Sequence, residues 1–342
     1  MKKILGTIIF ACVLLLQPLF GQDINSDVSK RGTTAAPFLT IVQGARAMGM
    51  GSAFVALAND QSSLYWNPAG ITDTYGTGFM FDHTSWFADI EYNYAAGTMN
   101  LGSFGTIGMS FTASNYGEMN VTTVDNPGGN GETFGVSDVA FSVSYAMKLT
   151  DNFSIGFNPK YIYQKIAKMS ASAVAIDLGV KYVTPFKGVT LGMSISNFGP
   201  KMQMTGNSAL VLFDQNTGST GNNGRIPAEL ETDEWALPLT FRVGIAYDAL
   251  KTDMHKLVIA ADALHPADNY ESVNVGGEYT FNDFLFIRGG YKNLFLQNAE
   301  EKYTFGFGVK QEMVGVSLQV DYAYQEYTRL KNAQKITVSV NF

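Results

Sequence analysis

The chain has 342 residues, of which only 15% are charged and 13% are aromatic, with 35 glycines and one cysteine. That length suits one large domain or two ordinary ones, and a net charge of −7 argues against nucleic acid as a partner. Beyond the N-terminus no run approaches the roughly eighteen apolar residues that a spanning helix needs, which excludes a helical membrane protein.

Met1, Lys2 and Lys3 form a positive n-region, residues 4–16 a short apolar core, and Leu19-Phe20-Gly21 a cleavage site. Residues 1–21 are therefore expected to be a secretory signal peptide. Cys12 would leave with it, so the mature chain would have no thiol for disulfides, metal sites or nucleophilic chemistry.

Residues 22–75 lack regular alternation and are rich in small residues. Asp60 to Tyr65 is expected to make one or two helical turns, with Asn59 or Asp60 as N-cap. Asn67-Pro68-Ala69-Gly70 reads as a turn.

Residues 76–342 alternate apolar and polar over most of their length, which is the period of a strand with two unlike faces. About fourteen strands are expected, at 76–84, 89–100, 103–114, 136–148, 153–166, 171–183, 188–197, 237–248, 256–265, 270–281, 284–292, 302–311, 313–326 and 334–342. Val174, Ile176, Leu178, Val180 and Tyr182 share one face. Leu239, Phe241, Val243, Ile245 and Tyr247 share another, and so do Tyr303, Phe305, Phe307 and Val309. Near the end, Val314 to Tyr324 and Ile336 to Phe342 repeat the pattern. The alternates include Lys160, Asp177, Lys181, Arg242, Asp262, Glu278, Arg288, Lys310 and Asp321, which should point inward. An Arg or Lys facing lipid near the midplane costs roughly 2–4 kcal/mol. Pro159 interrupts the fifth strand, where a bulge is expected.

The connections are expected to alternate between short turns, such as Leu101-Gly102 and Asn282-Asp283, and longer loops, notably 115–135 and the Gly- and Asn-rich 198–236. The latter is read first as a mobile surface loop. Outer-membrane barrels keep short turns in the periplasm and long loops outside. The expected fold class is thus all-β, a transmembrane antiparallel β-barrel of about fourteen strands, with outer-membrane lipid around it. Terminal Phe342 is expected to be the signal read by the barrel-assembly machinery. Residues 22–75 would then be a hatch or plug in the lumen, the alternative being a periplasmic arm.

No catalytic, cofactor-binding or metal residue is predicted. Gly49-Met50-Gly51 fails as a dinucleotide fingerprint because its third position is Phe54 and no βαβ unit follows. His83, His255 and His265 lack metal spacing, and no Gly-x-Ser-x-Gly elbow occurs.

The run Thr33 to Leu39, then Gly44-Ala45-Arg46, Met48-Gly49-Met50-Gly51 and Tyr65-Trp66-Asn67-Pro68-Ala69-Gly70, resembles the PorV/PorQ family within the FadL-like outer-membrane barrels. The resemblance implies a fourteen-stranded barrel with an N-terminal hatch that holds the Asn67-Pro68-Ala69 motif. It also implies a role in type IX secretion, with C-terminal signal domains of cargo and translocon subunits as partners. The alternative it carries is a FadL-like channel for hydrophobic small molecules. Gly44 stands where PorV proper is expected to have Asp.

Overall fold

The computed structural model describes residues 30–218, 221, 223–296 and 299–342. The expected signal peptide, with Cys12, lies outside the described residues. Fourteen long strands follow one another: β1 (Thr77–Ser85), β2 (Glu91–Asn100), β3 (Thr106–Asn120), β4 (Thr133–Thr150), β5 (Phe153–Ile166), β6 (Met169–Val183), β7 (Val189–Phe198), β8 (Thr240–Lys251), β9 (His255–Pro266), β10 (Ser272–Phe281), β11 (Leu285–Leu294), β12 (Glu301–Met313), β13 (Val316–Tyr327) and β14 (Ala333–Asn341). Each pairs antiparallel with its neighbours in sequence, and β14 pairs back onto β1 over Gly78↔Asn341 to Ser85↔Gln334. The ring is closed, so no strand edge is left to face lipid.

The alternation expected from the sequence is the alternation observed. Phe81, Phe141, Val174, Phe241, Phe305 and Ile336 are exposed on the outer wall. Asp82, Asp177, Lys181, Arg242, Asp262, Glu278, Arg288, Asp321 and Lys335 are buried on the inner one. The reason is the pleat, which sends successive side chains to opposite faces, combined with the cost of charge in hydrocarbon.

The face assignment gives a direct test. Val338 sits between Phe81 of β1 and Val320 of β13 on the outer wall, whereas Ser339 borders an internal chamber described below. Val338→Arg should destabilise the barrel by roughly 2–4 kcal/mol and cut the folded band in heat-modified gel mobility. Ser339→Arg should do so far less. Equal behaviour of the two would contradict the assignment.

Four details differ from the sequence reading. Val314 is not on a strand: it and Gly315, at φ 77, make the turn between β12 and β13. The loop expected at 115–135 is shorter, because β3 and β4 continue their pairing to Asn120↔Thr133. Pro159 brings no bulge. β5 keeps one register with β6 through Pro159↔Ile176, and with β4 the register is the same at Ser142↔Lys160 and Tyr145↔Phe157. Asn158 beside it accepts from Ser144 and donates to Asp177, so side chains hold the two strands together where the proline lacks its N–H. A bulge lies instead opposite Ile176–Leu178, where Asn197 at φ 65 donates its N–H to Asp177 at 2.7 Å.

The fourth difference concerns loop length. One end of the barrel has only tight turns, as expected, but the other end is long chiefly at two places, 121–132 and 199–239, while β5 and β6 are joined by Ala167-Lys168 alone. The segment 199–239 carries its own pairings, Leu210–Phe213 with Ile226–Glu229 and Met202–Gln203 with Glu234–Trp235. By the barrel rule the tight-turn end, where Phe342 pairs with Thr77, is periplasmic.

Candidate functional site

The chain between Ala35 and Thr74 is the part that composition alone sets apart, and the structure packs it against inward-facing residues from opposite sides of the ring. Ala45, Ala47, Met48, Phe54, Ala58, Leu64, Trp66, Asn67 and Ala69 are all at most 1% exposed. Its helices are short, Ala45–Gly49 and Ser63–Trp66, with 3-10 turns at Pro37–Thr40 and Pro68–Asp73. Such short pieces leave many main-chain groups without helical partners, and buried groups of that kind must be bonded.

The wall supplies the partners. Asp82 accepts the Gly44 N–H at 2.9 Å, and Thr337 Oγ1 accepts the Ala45 N–H at 2.7 Å. Thr304 Oγ1 accepts from Gly51 N at 2.8 Å and donates to Gly49 O at 3.1 Å. Asp262 Oδ2 accepts from both Phe54 N and Val55 N, at 2.7 and 2.9 Å. Lys181 donates to Ala58 O, Asn158 to Leu64 O, and Gln164 accepts from Ala36 N. These contacts come from β1, β5, β6, β9, β12 and β14, so the segment is fastened at points spread around the ring.

The residues singled out in the sequence fall into two groups within this segment. Gly44 meets β1 through Asp82 and packs against Ser62, while Arg46, Gly49 and Gly51 face β10 to β12. A Cβ on Gly49 would lie 2.9 Å from Gly306 Cα, and one on Gly51, at φ +64, would lie 2.6 Å from Val275 O. Glycine is required at both places by close approach, and at Gly51 by the left-handed backbone as well. Arg46 makes a two-pronged pair with Glu278, Nε to Oε2 at 2.9 Å and Nη2 to Oε1 at 2.8 Å. Its third nitrogen reaches Asn59 at 2.6 Å and Asp60 at 3.2 Å, and the guanidinium lies 5.2 Å over the Phe54 ring. Burial opposes its charge, but Glu278 and then Asp60 more than offset this and raise its pKa above the usual value. Glu278 also pairs with Arg288 at 2.6 Å, and Arg288 with Asp321 at 2.6 Å, so the inner segment is tied into a buried network on the wall.

Trp66, Asn67, Pro68, Ala69 and Gly70 form the second group: Asn67, Pro68 and Ala69 lie against β5 and β6, Trp66 lies beneath Arg242 of β8, and Gly70 packs on Ala58 and Ser63 of the segment itself. Trp66 Nε1 donates to Gln43 O at 2.8 Å, and its ring meets Phe54 and Tyr65 edge-on. Asn67 uses its whole side chain. Nδ2 donates to Val55 O at 3.0 Å and to Val180 O at 2.9 Å, while Oδ1 accepts from Ala69 N at 3.2 Å and caps the turn at Pro68–Asp73. The wall is notched to receive this turn: a Cβ at Gly179 would overlap Asn67 Oδ1, and one at Gly156 would overlap the Pro68 backbone. The N-cap expected at Asn59 or Asp60 is instead Ser62, which makes no side-chain capping bond; Asp60 Oδ1 accepts from Ser62 N at 2.9 Å in the turn that leads into the helix.

Phe342 lies apart from both groups. Its ring is 6.4 Å from Phe79 on the outer wall, and its backbone exchanges bonds with Thr77.

Two chambers flank the inner segment. One, of about 630 Å³, opens at the tight-turn end and is lined by Arg46, Asp60, Gln319, Asp321, Ser339 and neighbours. The other, of about 350 Å³, opens at the long-loop end and is bounded by Ile41, Trp66, Trp86, Arg242, Lys292 and Tyr327 among others. They share no lining residue. Trp86 closes over the second chamber from the short β1–β2 connection and packs edge-on to Tyr92 and Tyr327.

The sequence reading missed Asp82, Thr304 and Thr337 as anchors. Their only signal is being polar on an inward face, which they share with many residues that touch nothing in the segment.

The sequence model of the family described as Type IX secretion system protein PorV matches residues 25–209, just over half of the chain. No curated protein matches the chain. Among solved structures it is similar to the CymD monoaromatic hydrocarbon channel, at TM-score 0.56 and 13% identity over 87% of this chain and 96% of that one. It is similar also to the Pseudomonas putida toluene transporter TodX, at 0.55 and 12% over 88% and 98%. The Ralstonia pickettii toluene transporter TbuX stands at 0.54 and 13% over 87% and 97%. At these identities the likeness is one of fold.

Proposed function

The chain belongs to the PorV family of outer-membrane barrels, and from that premise we propose that it serves type IX protein secretion by binding cargo or translocon partners. In this reading residues 1–21 are a cleaved signal, 22–75 a hatch and 76–342 the barrel. The nine motif residues from Gly44 to Gly70 keep the hatch seated, and Phe342 is the assembly signal. The single observation that supports partner binding over axial transport is the fastening of the inner segment. It is bonded to the wall at points spread around the ring, between two chambers that share no lining residue. Moving it aside would break many buried hydrogen bonds at once, each leaving an unpaired polar group at about 1–3 kcal/mol.

One observation favours a second reading, a channel for hydrophobic small molecules. The chamber at the long-loop end has aromatic walls, and the proteins of similar fold are named as hydrocarbon channels or toluene transporters.

The experiment is capture. The immobilised full barrel should retain a cargo that carries a C-terminal signal domain, or a type IX translocon subunit, and should release the same cargo once that domain is removed. Retention of neither would defeat the secretion reading and promote the channel.

A further inference from the structure

We propose that the outer wall carries a lipid-ester hydrolase site, with Ser85 as the nucleophile, His83 as its base and Asn93 holding the imidazole. The proposal stands on the outer faces of β1, β2 and β14 and does not depend on the secretion reading.

His83 and Ser85 are two residues apart on β1, and both are exposed on its outer face. Strand geometry sets them roughly 6.5 Å apart along the chain, a gap that an imidazole leaning toward a hydroxyl can bridge. His83 Nδ1 lies 2.8 Å from Oδ1 of Asn93, its register partner on β2. An amide oxygen only accepts, so Nδ1 carries the proton and Nε2 is left as a bare base. A histidine fixed in one tautomer by a third group, beside a serine, is a constellation for nucleophilic acyl transfer, recognised by geometry on any fold. On the other side of β1, Gln334 is the register partner of Ser85. Its Oε1 accepts from Tyr322 Oη at 3.2 Å, which leaves its amide NH2 to donate toward an oxyanion formed at Ser85.

The rows of the wall specify the substrate. By register, His83 and Asn93 share a row with Ile336. The next row toward the tight turns is Val338, Phe81 and Ala95, and the next toward the long loops is Gln334, Ser85 and Glu91. The site therefore sits where the wall changes from apolar to polar on the long-loop side. That is the height at which the ester links of outer-leaflet lipids meet the hydrocarbon. A groove of about 250 Å³ starts at His83 and Asn93 and is walled by Phe81, Phe111, Ile336 and Val338. Its floor is the short side chain of Ala95, which lies in register between Phe81 and Phe111. Such a groove suits one acyl chain, with the ester at its polar end.

The reaction needs only water as co-reactant. Ser85 Oγ adds to the ester carbonyl while its proton passes to His83 Nε2, and the carbonyl oxygen takes the charge facing Gln334. The bond to the alcohol breaks, and the alcohol leaves with the proton from Nε2. Water, giving its proton to Nε2, then attacks the acyl-serine. The proton returns to Ser85 Oγ, and a fatty acid departs.

The full barrel, purified in detergent, is assayed with p-nitrophenyl palmitate and p-nitrophenyl acetate, with heat-modified gel mobility reporting the folding of each variant. Turnover of the palmitate ester should fall by about a hundredfold or more in Ser85→Ala and in His83→Ala. Asn93→Leu should lower it by about tenfold, and Asn93→Asp should restore most of the loss, because a carboxylate accepts the same bond. Ala95→Phe fills the groove and should lower turnover of the palmitate ester by about tenfold more than that of the acetate. Hexadecyl fluorophosphonate tests the nucleophile in the unmutated chain, and should lose fluoride and phosphonylate the peptide that holds Ser85. Palmitate turnover no faster than in Ser85→Ala, or a fluorophosphonate label that is absent or on another residue, overturns the proposal.

Discussion

Asp82→Ala should destabilise the protein by about 3–5 kcal/mol, the range for breaking a buried ion pair by removing one partner. The Asp82 carboxylate holds three groups at once. Lys335 Nζ donates to it at 2.7 Å, Thr337 Oγ1 at 2.6 Å and the Gly44 N–H at 2.9 Å. Both ion-pair side chains are fully shielded from solvent. Removing the carboxylate strands the ammonium with Thr84 as its remaining partner. It also frees Gly44 at the entry of the inner segment and loosens Thr337, which receives the next N–H, from Ala45. Asp82→Ala combined with Lys335→Met should recover most of the loss, because no uncompensated charge is then left buried. The midpoint of urea unfolding of the purified barrel would measure this. A loss below about 1 kcal/mol for Asp82→Ala alone would mean that the pair behaves as a solvated one and does not anchor the segment.

The barrel wall was legible in the sequence because its physics is local. Strands such as β5, read at 153–166 and found at Phe153–Ile166, declare themselves by period-two alternation that any neighbour in the sheet would preserve. Strand ends were less legible. Pairing past the alternating stretch, as in β3 and β4 up to Asn120↔Thr133, depends on a partner strand and not on a local pattern. The Pro159 bulge was expected from the proline alone, whereas Asn158 and its cross-strand bonds resolve the defect.

The inner segment was legible as different but not as a set of contacts. Asn67 could be read as a turn residue, since Asn before Pro caps by a local bond to Ala69 N. Its bonds to Val55 O, 12 residues away, and to Val180 O, 113 residues away, depend on the tertiary fold, and no local pattern encodes them. Arg46 shows the same limit. Its motif was visible, but its partner Glu278 lies 232 residues away and was expected only as one inward charge among several. The wall glycines that admit the segment, Gly156 and Gly179, look in sequence like ordinary small residues of a barrel interior.

The secretion role is tested most directly by removing the protein from its own cell. In a strain that lacks this chain, cargo bearing C-terminal signal domains should be lost from the surface and retained in the periplasm, and the intact gene should restore display. Fractionation and surface labelling of one such cargo would measure it. Undiminished surface display in the deletion strain, accompanied by reduced uptake of an apolar compound, would contradict the secretion account and make the barrel a transporter.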